Sequence, residues 1–217
     1  MGMRNVRPIY RMGVYGVIFF AAWMVWGFIG PLTLERAPYE VIARGDTFEV
    51  RSYPAYLVAR IPVTGTQEDA IAEGSRILQR YISGDNATQA SLARFGGMGV
   101  ESELDAELIA NSAPIIQEAK GSSYFVSFVL PSRYRIADLP RPHDPRIRML
   151  EIPQTTVAIM SFRGIASPER IDAAERDLRN ALMQEKYLAL SSLKLIGYNP
   201  TFMPSFLRSY ELALIVR

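Results

Sequence analysis

From residue 39 onward, apolar and polar residues alternate in short runs separated by turn residues. Tyr39-Glu40-Val41-Ile42-Ala43-Arg44 and Phe48-Glu49-Val50-Arg51 flank Gly45-Asp46, and this pattern predicts a β-hairpin. Ala55 to Val63 predicts a third strand, with Pro62 marking an edge or a bulge near its end. The period then changes. Ile71, Gly74, Ile77, Leu78 and Tyr81 form one apolar stripe, opposite Glu68, Asp69, Glu73, Arg76 and Arg80. This spacing predicts an amphipathic helix over 67–82, capped by Thr64 or Thr66 and closed by Ser83-Gly84-Asp85-Asn86.

The same order recurs. Pro54 and Pro153, Val58-Ala59 and Val157-Ala158, and Gly65 and Gly164 each stand 99 residues apart. A second helix is predicted over 167–190, with Ser167 at its cap and Pro168 in its first turn. Each unit reads strand, turn, strand, helix, and the long spacing points to a duplicated half-domain rather than a solenoid. Strands are further predicted at 108–117, 124–130, 193–198 and 210–216, and the runs 146–152 and 155–162 read as a second hairpin. Strands joined by hairpins outnumber helices. The fold class is therefore α+β, a curved antiparallel sheet or barrel with two helices outside. Residues 87–107 read as a loop insertion, with a short helix near 89–95. Its Glu101, Glu103, Asp105 and Glu107 read as a solvated face rather than a metal site.

The N-terminal part differs in kind. No charged residue occurs from Met12 to Leu34, and Arg4, Arg7 and Arg11 precede this run. Such a run is long enough to span a bilayer. The basic flank places the N-terminus in the cytoplasm and the following domain across the membrane. In a Gram-negative cell this is a single-pass inner-membrane protein with a periplasmic domain. A cleaved signal peptide is the alternative, although 27–31 (Gly-Phe-Ile-Gly-Pro) matches a cleavage site poorly. The expected domains are thus an anchor at 1–34 and a globular domain at 35–217.

Composition narrows the chemistry. The 217 residues include no Cys and one His, which excludes disulfides, thiolate metal sites and multi-His zinc sites. There are 24 basic and 22 acidic residues. Setting aside the three N-terminal arginines leaves a nearly neutral domain with no basic footprint for nucleic acid. No phosphate-binding loop is present, and no nucleophile–base set can be assembled around the single His143, so an enzyme is not expected.

Several segments resemble the SOUL haem-binding protein family. They are 39–54 (Tyr-Glu-Val-Ile-Ala-Arg-Gly-Asp-Thr-Phe-Glu-Val-Arg-Ser-Tyr-Pro), 81–86 (Tyr-Ile-Ser-Gly-Asp-Asn), 128–131 (Phe-Val-Leu-Pro), 139–142 (Leu-Pro-Arg-Pro) and 197–200 (Gly-Tyr-Asn-Pro). The resemblance runs in order over residues 38–217. It implies a duplicated, distorted eight-stranded antiparallel barrel flanked by two helices. It also implies haem or an iron-free porphyrin in an apolar groove beside the first helix. The family's usual Ala-Met-Thr-Ala-Pro-Val stands here as Ala110-Asn111-Ser112-Ala113-Pro114-Ile115. Basic positions that hold propionates in one branch fall on Ala72, Arg80 and Met203, and only Arg80 keeps its charge.

The resulting candidates are Arg80 for a propionate, Ile71 and Leu78 on the helix, and Met203 beside Phe202 over the macrocycle. His143 is the candidate axial ligand, with Asp144 next to it. Two other readings stand beside this one. The first is a module binding another flat or amphipathic molecule in the cleft between the repeats. The second is a membrane-attached module whose acidic insertion contacts a protein partner.

Overall fold

A computed structural model describes residues 14–15, 37–89, 106–110, 114–199 and 203–217. The chain divides between residues 34 and 35. Apart from Val14 and Tyr15, the expected span at 12–34 lies outside the described residues, as do most of the 87–107 insertion, residues 111–113 and Phe202. Among the described residues no helix is long and apolar enough to cross a membrane.

The second unit is one curled antiparallel sheet of nine strands carrying two helices. β1 (Glu40–Arg44) and β2 (Glu49–Tyr53) pair as the expected hairpin, with an irregularity between Val41 and Ala43. β3 (Tyr56–Thr64) leads into α1 (Gln67–Ile82). After the short β4 (Asn86–Ala87) come β5 (Ile115–Lys120) and β6 (Ser123–Val129). β7 (Arg141–Pro142) pairs with β4 outside the main sheet. β8 (Arg148–Ile152) and β9 (Thr155–Arg163) precede α2 (Pro168–Gln184), and β10 (Lys194–Gly197) and β11 (Ser209–Ile215) complete the fold.

The strand order is β1-β2-β9-β11-β10-β5-β6-β3-β8. Leaving out β1, it reads as a mirror about the β10–β5 pair. β2 corresponds to β8, β3 to β9, β6 to β11 and β5 to β10. The duplication seen along the chain is therefore present in the sheet. Its strands are exchanged, however. β8 and β9 do not pair with each other, so the second hairpin expected from sequence is absent. Instead β8 pairs with β3, and β9 pairs with β2 and β11. The expected eight-stranded barrel is also replaced. The sheet is open, since its end strands β1 and β8 are not neighbours.

Alternation along the strands sends one set of side chains to each face. Ala59, Ile61 and Val63 of β3, with Val126 and Phe128 of β6, pack under α1 against Ala70, Ile77, Leu78 and Tyr81. The second repeat builds the matching core from Ala158, Leu212 and Leu214 beneath Ile171, Leu178 and Leu182 of α2. Burying each Leu or Ile contributes about 1.5–3 kcal/mol. The intervening positions Val58, Ile116, Val129, Ile159, Ile196 and Ala213 form a third cluster on the other face.

Local signals explain the element ends. Gly65 and Gly164 close equivalent strands with φ of +123° and +102°, a conformation that glycine adopts without steric cost. Thr66 then caps α1 by accepting from Asp69 N at 3.2 Å, and Ser167 caps α2 by accepting from Arg170 N at 3.4 Å. Pro62 sits in a strand between two neighbours. Pairing with β8 stops at Arg60, so the missing N–H falls where β3 is locally an edge. α2 ends at Gln184 rather than 190, because Lys186 turns to φ 61° and Ala189 bridges to Val216. Residues 108–110 are not strand, as expected from their pattern, but an irregular segment held against the end of α1.

Candidate functional site

The C-terminal end of α1 is where several chain segments meet. The Tyr81 hydroxyl donates to Pro140 O at 3.0 Å, which ties the proline-rich loop to the helix. Burial pushes the Tyr81 hydroxyl pKa well up, so it remains a donor. Asn86 is buried and uses all of its amide. Its Nδ2 donates to Tyr81 O at 2.7 Å and to Glu107 O at 2.9 Å, and its Oδ1 accepts from Glu107 N at 3.0 Å. Glu107 Oε1 in turn accepts from the Tyr134 hydroxyl at 2.6 Å. Ile109 N donates to Ile82 O at 2.9 Å. These bonds fix residues 106–110 beside the helix end, where the Leu108 side chain lies near Gly84 and is 75% exposed.

Asp85 is the centre of this surface. Its Oδ1 lies 3.0 Å from His143 Nδ1, and its Oδ2 accepts from Arg80 Nη2. A carboxylate only accepts, so His143 Nδ1 carries the proton and donates it. A neutral ring in that tautomer leaves Nε2 with a lone pair. The side chain is 37% exposed. A carboxylate that orients a histidine in this way is the usual support behind a metal-ligating imidazole. The His143 hydrogen bond, joined by Arg80, holds the Asp85 carboxyl below its ordinary pKa against the opposing effect of burial. With a lowered pKa, Asp85 is ionised at neutral pH. Its stabilising contribution is fully present above the ordinary carboxylate value and is lost as pH falls through the lowered one.

The structure thus brings Arg80 and His143 together on one carboxylate, but through Asp85. Asp144, the neighbour expected from sequence, is held by Arg146 with a shortest contact of 2.7 Å. The other candidates fall elsewhere. Leu78 is 0% exposed inside the core under α1, so its side chain faces the sheet and not a groove. Ile71 is half-buried near the start of the helix. Met203 is 6% exposed, and its carbonyl accepts from Arg208 Nε at 2.8 Å. Its loop follows β10, whose Gly197 pairs with Ile115, which pairs with Phe128. By that register the loop leaves the sheet at the end where α1 finishes. Phe202 lies outside the described residues. Sequence reasoning passed over Asp85, Asn86 and Leu108. The first two stood in plain view within the 81–86 motif, which reads as a helix stop and as a family segment without a role for either side chain.

Among the described residues no three His, Cys, Asp or Glu side chains gather as a metal site. The donor set fits haem, whose iron an imidazole can ligate, whose propionates a cation can hold and whose ring apolar surface can cover. Arg80 is 61% exposed and Leu108 is more so.

Comparison with known proteins agrees with the architecture. The chain resembles the C-terminal domain of EcmrR, with TM-score 0.52 and 13% identity over 82% of this chain and 98% of that one. It also resembles an uncharacterized conserved protein from Listeria innocua, with TM-score 0.51 and 12% identity over 81% of this chain and 94% of the other. A hydrolase from Listeria innocua gives TM-score 0.50 and 12% identity over the same shares. At such identities these likenesses concern the fold alone. No curated protein matches. The family model described as SOUL heme-binding protein matches residues 34–215. Spanning the whole duplicated sheet and both helices, that match makes the chain a member of the SOUL heme-binding protein family.

Proposed function

We propose that residues 35–217 bind haem, or an iron-free porphyrin, on the surface at the C-terminal end of α1, and that they do so without catalysing a reaction. The observation that carries this reading is the shared carboxylate. Asp85 holds Arg80 and the only histidine side by side, next to an exposed Leu108. Haem supplies an iron with an axial position to fill and two propionates. His143 would offer Nε2 to the iron while Asp85 keeps the ring in one tautomer and orientation. Arg80 would share its guanidinium between Asp85 and a propionate. Leu108 would cover part of the macrocycle, with Met203 contributing from the loop after β10, while Ile71 near the start of α1 stands too far back along the helix to take part. Leu78 would act only by shaping the helix from below.

The anchor belongs to the same reading. The uncharged run from Met12 to Leu34 behind three arginines supports a single span of the inner membrane with the domain on the periplasmic side.

Titrating the full-length protein with ferric haem and following the Soret band tests this reading. A saturable shift is expected for the wild type. Arg80→Gln should weaken it by about fivefold, as loss of an exposed charge pair worth about 1 kcal/mol implies. An unshifted Soret band in the wild type would contradict haem binding. Binding of metal-free protoporphyrin IX that survives where haem binding fails would move the reading to a porphyrin held without axial ligation by His143.

A further inference from the structure

The face of the sheet turned away from the helices contains a cavity that shares no lining residue with the Asp85 cluster. Its floor is apolar and comes from both repeats, through Ile116, Ile159, Ile196 and Ala213. Tyrosines form its walls. Tyr53 lies 5.4 Å from the Tyr39 ring and 6.4 Å from the Tyr56 ring, centroid to centroid. The enclosed space is about 60 Å³, less than the ~150 Å³ of a cavity that holds benzene, so a ligand of one or two rings would seat partly in the open mouth and a porphyrin does not fit.

The charges around the cavity differ in how they are satisfied. Glu211 accepts from Arg51 at 3.0 Å and from the Tyr198 hydroxyl, with Ser161 at 3.5 Å. Arg51 is also held by Glu49 at 2.9 Å. That acid and that base are spent on each other. Glu118 faces Lys194 across the β5–β10 pair, but it accepts from Ser192 Oγ at 3.0 Å and lies 3.9 Å from Arg60. Lys194 lines the cavity, and among the described residues its ammonium makes no ion pair or hydrogen bond. The Tyr56 hydroxyl likewise has no hydrogen-bond partner among them, and Tyr56 also lines the cavity. An apolar, aromatic-walled cavity with a few polar groups is the usual form of a small-molecule site.

We propose that this cavity is a second ligand site, which takes a small aromatic carboxylate, with its ring among Tyr53, Tyr56 and Ile196 and its carboxylate on Lys194. Desolvation lowers the Lys194 pKa against the pull of Glu118, and a bound carboxylate would favour the charged form again. The site is independent of the haem reading, because it shares no residue with it.

Isothermal titration of the full-length protein with 2-naphthoate and with 2-(aminomethyl)naphthalene tests the proposal. The carboxylate should bind at least tenfold more tightly than the amine of the same ring. Lys194→Met should cut naphthoate affinity by about tenfold, and Lys194→Arg should restore most of it. The Lys194→Met protein should still give the wild-type Soret titration with haem, and His143→Ala should still bind naphthoate, so failure at one site is distinguishable from failure at the other. Preference for the amine, naphthoate affinity unchanged by Lys194→Met, or no saturable heat with naphthoate would each overturn it.

Discussion

Replacing Arg51 with methionine is expected to destabilise the domain by about 3–5 kcal/mol, the usual cost of leaving one member of a buried ion pair alone. The Arg51 side chain is only 8% exposed. It joins β2 to β11 across β9, with Glu49 at 2.9 Å and Glu211 at 3.0 Å, and its guanidinium lies 4.4 Å from the Tyr39 ring centroid. Without it Glu211 keeps a negative charge in a half-buried setting with hydroxyl donors alone. Tyr198, whose hydroxyl pKa is raised by burial and then by Glu211, cannot replace the lost cation. The double change Arg51→Met with Glu211→Gln should recover much of the loss, since the buried Glu211 charge is then gone and the more exposed Glu49 keeps Arg44 at 3.4 Å. Urea unfolding of the wild type, both single variants and the double variant measures the coupling. Additive losses would show that Arg51 stabilises through packing rather than through this charge pair.

Gly74→Val should cost about 2–4 kcal/mol, as overpacking of a tight interface and a β-branched residue in a helix imply. A Cβ at Gly74 would lie 2.7 Å from Val126 Cγ2 and 2.8 Å from its Cβ. Val126 is fully buried in the middle of β6, so it has no free direction in which to move. The glycine is therefore the point of closest approach of α1 to the sheet, and the helix carries Arg80 and Asp85 to the site from there. Helix propensity argues in the other direction, since alanine is better than glycine by about 1 kcal/mol in a helix. Even Gly74→Ala should lose stability here, because contact at this distance outweighs that gain. Gly74→Val with Val126→Ala should regain part of the loss, as read from thermal or urea unfolding. A stabilised Gly74→Ala would mean that the helix can lift from the sheet at little cost.

Most of the fold was legible because period and face are local properties. The α1 stripe marked its core side, and the 99-residue recurrence of Gly65 and Gly164 marked equivalent turns. Pairing partners were not legible in the same way. Alternation in 148–152 and 155–163 shows that both are strands with one buried face. It does not show that they pair with β3 and β2 of the other repeat, because exchanging partners between similar repeats leaves the pattern unchanged. Proximity in sequence favoured a hairpin, and the duplicated topology overrode it. The site was legible in part for a similar reason. His143 drew attention as the only imidazole, and Arg80 as the one propionate position of the family resemblance that keeps its charge. Asp85 was hidden, because it stands 58 residues from His143 and only the folded loop, tied down by Tyr81 and Asn86, brings them together. Leu78 was misplaced because the stripe that faces the core and a face offered to a ligand share one spacing on a helix.

The visible spectrum of the ferric haem complex, compared between the full-length wild type and His143→Ala, tests the central claim most directly. If His143 ligates iron with Asp85 behind it, the variant should lose the imidazole-ligated spectrum and regain it when free imidazole is added. Identical spectra for the two proteins would contradict ligation by His143 and remove the Asp85 cluster from the iron site.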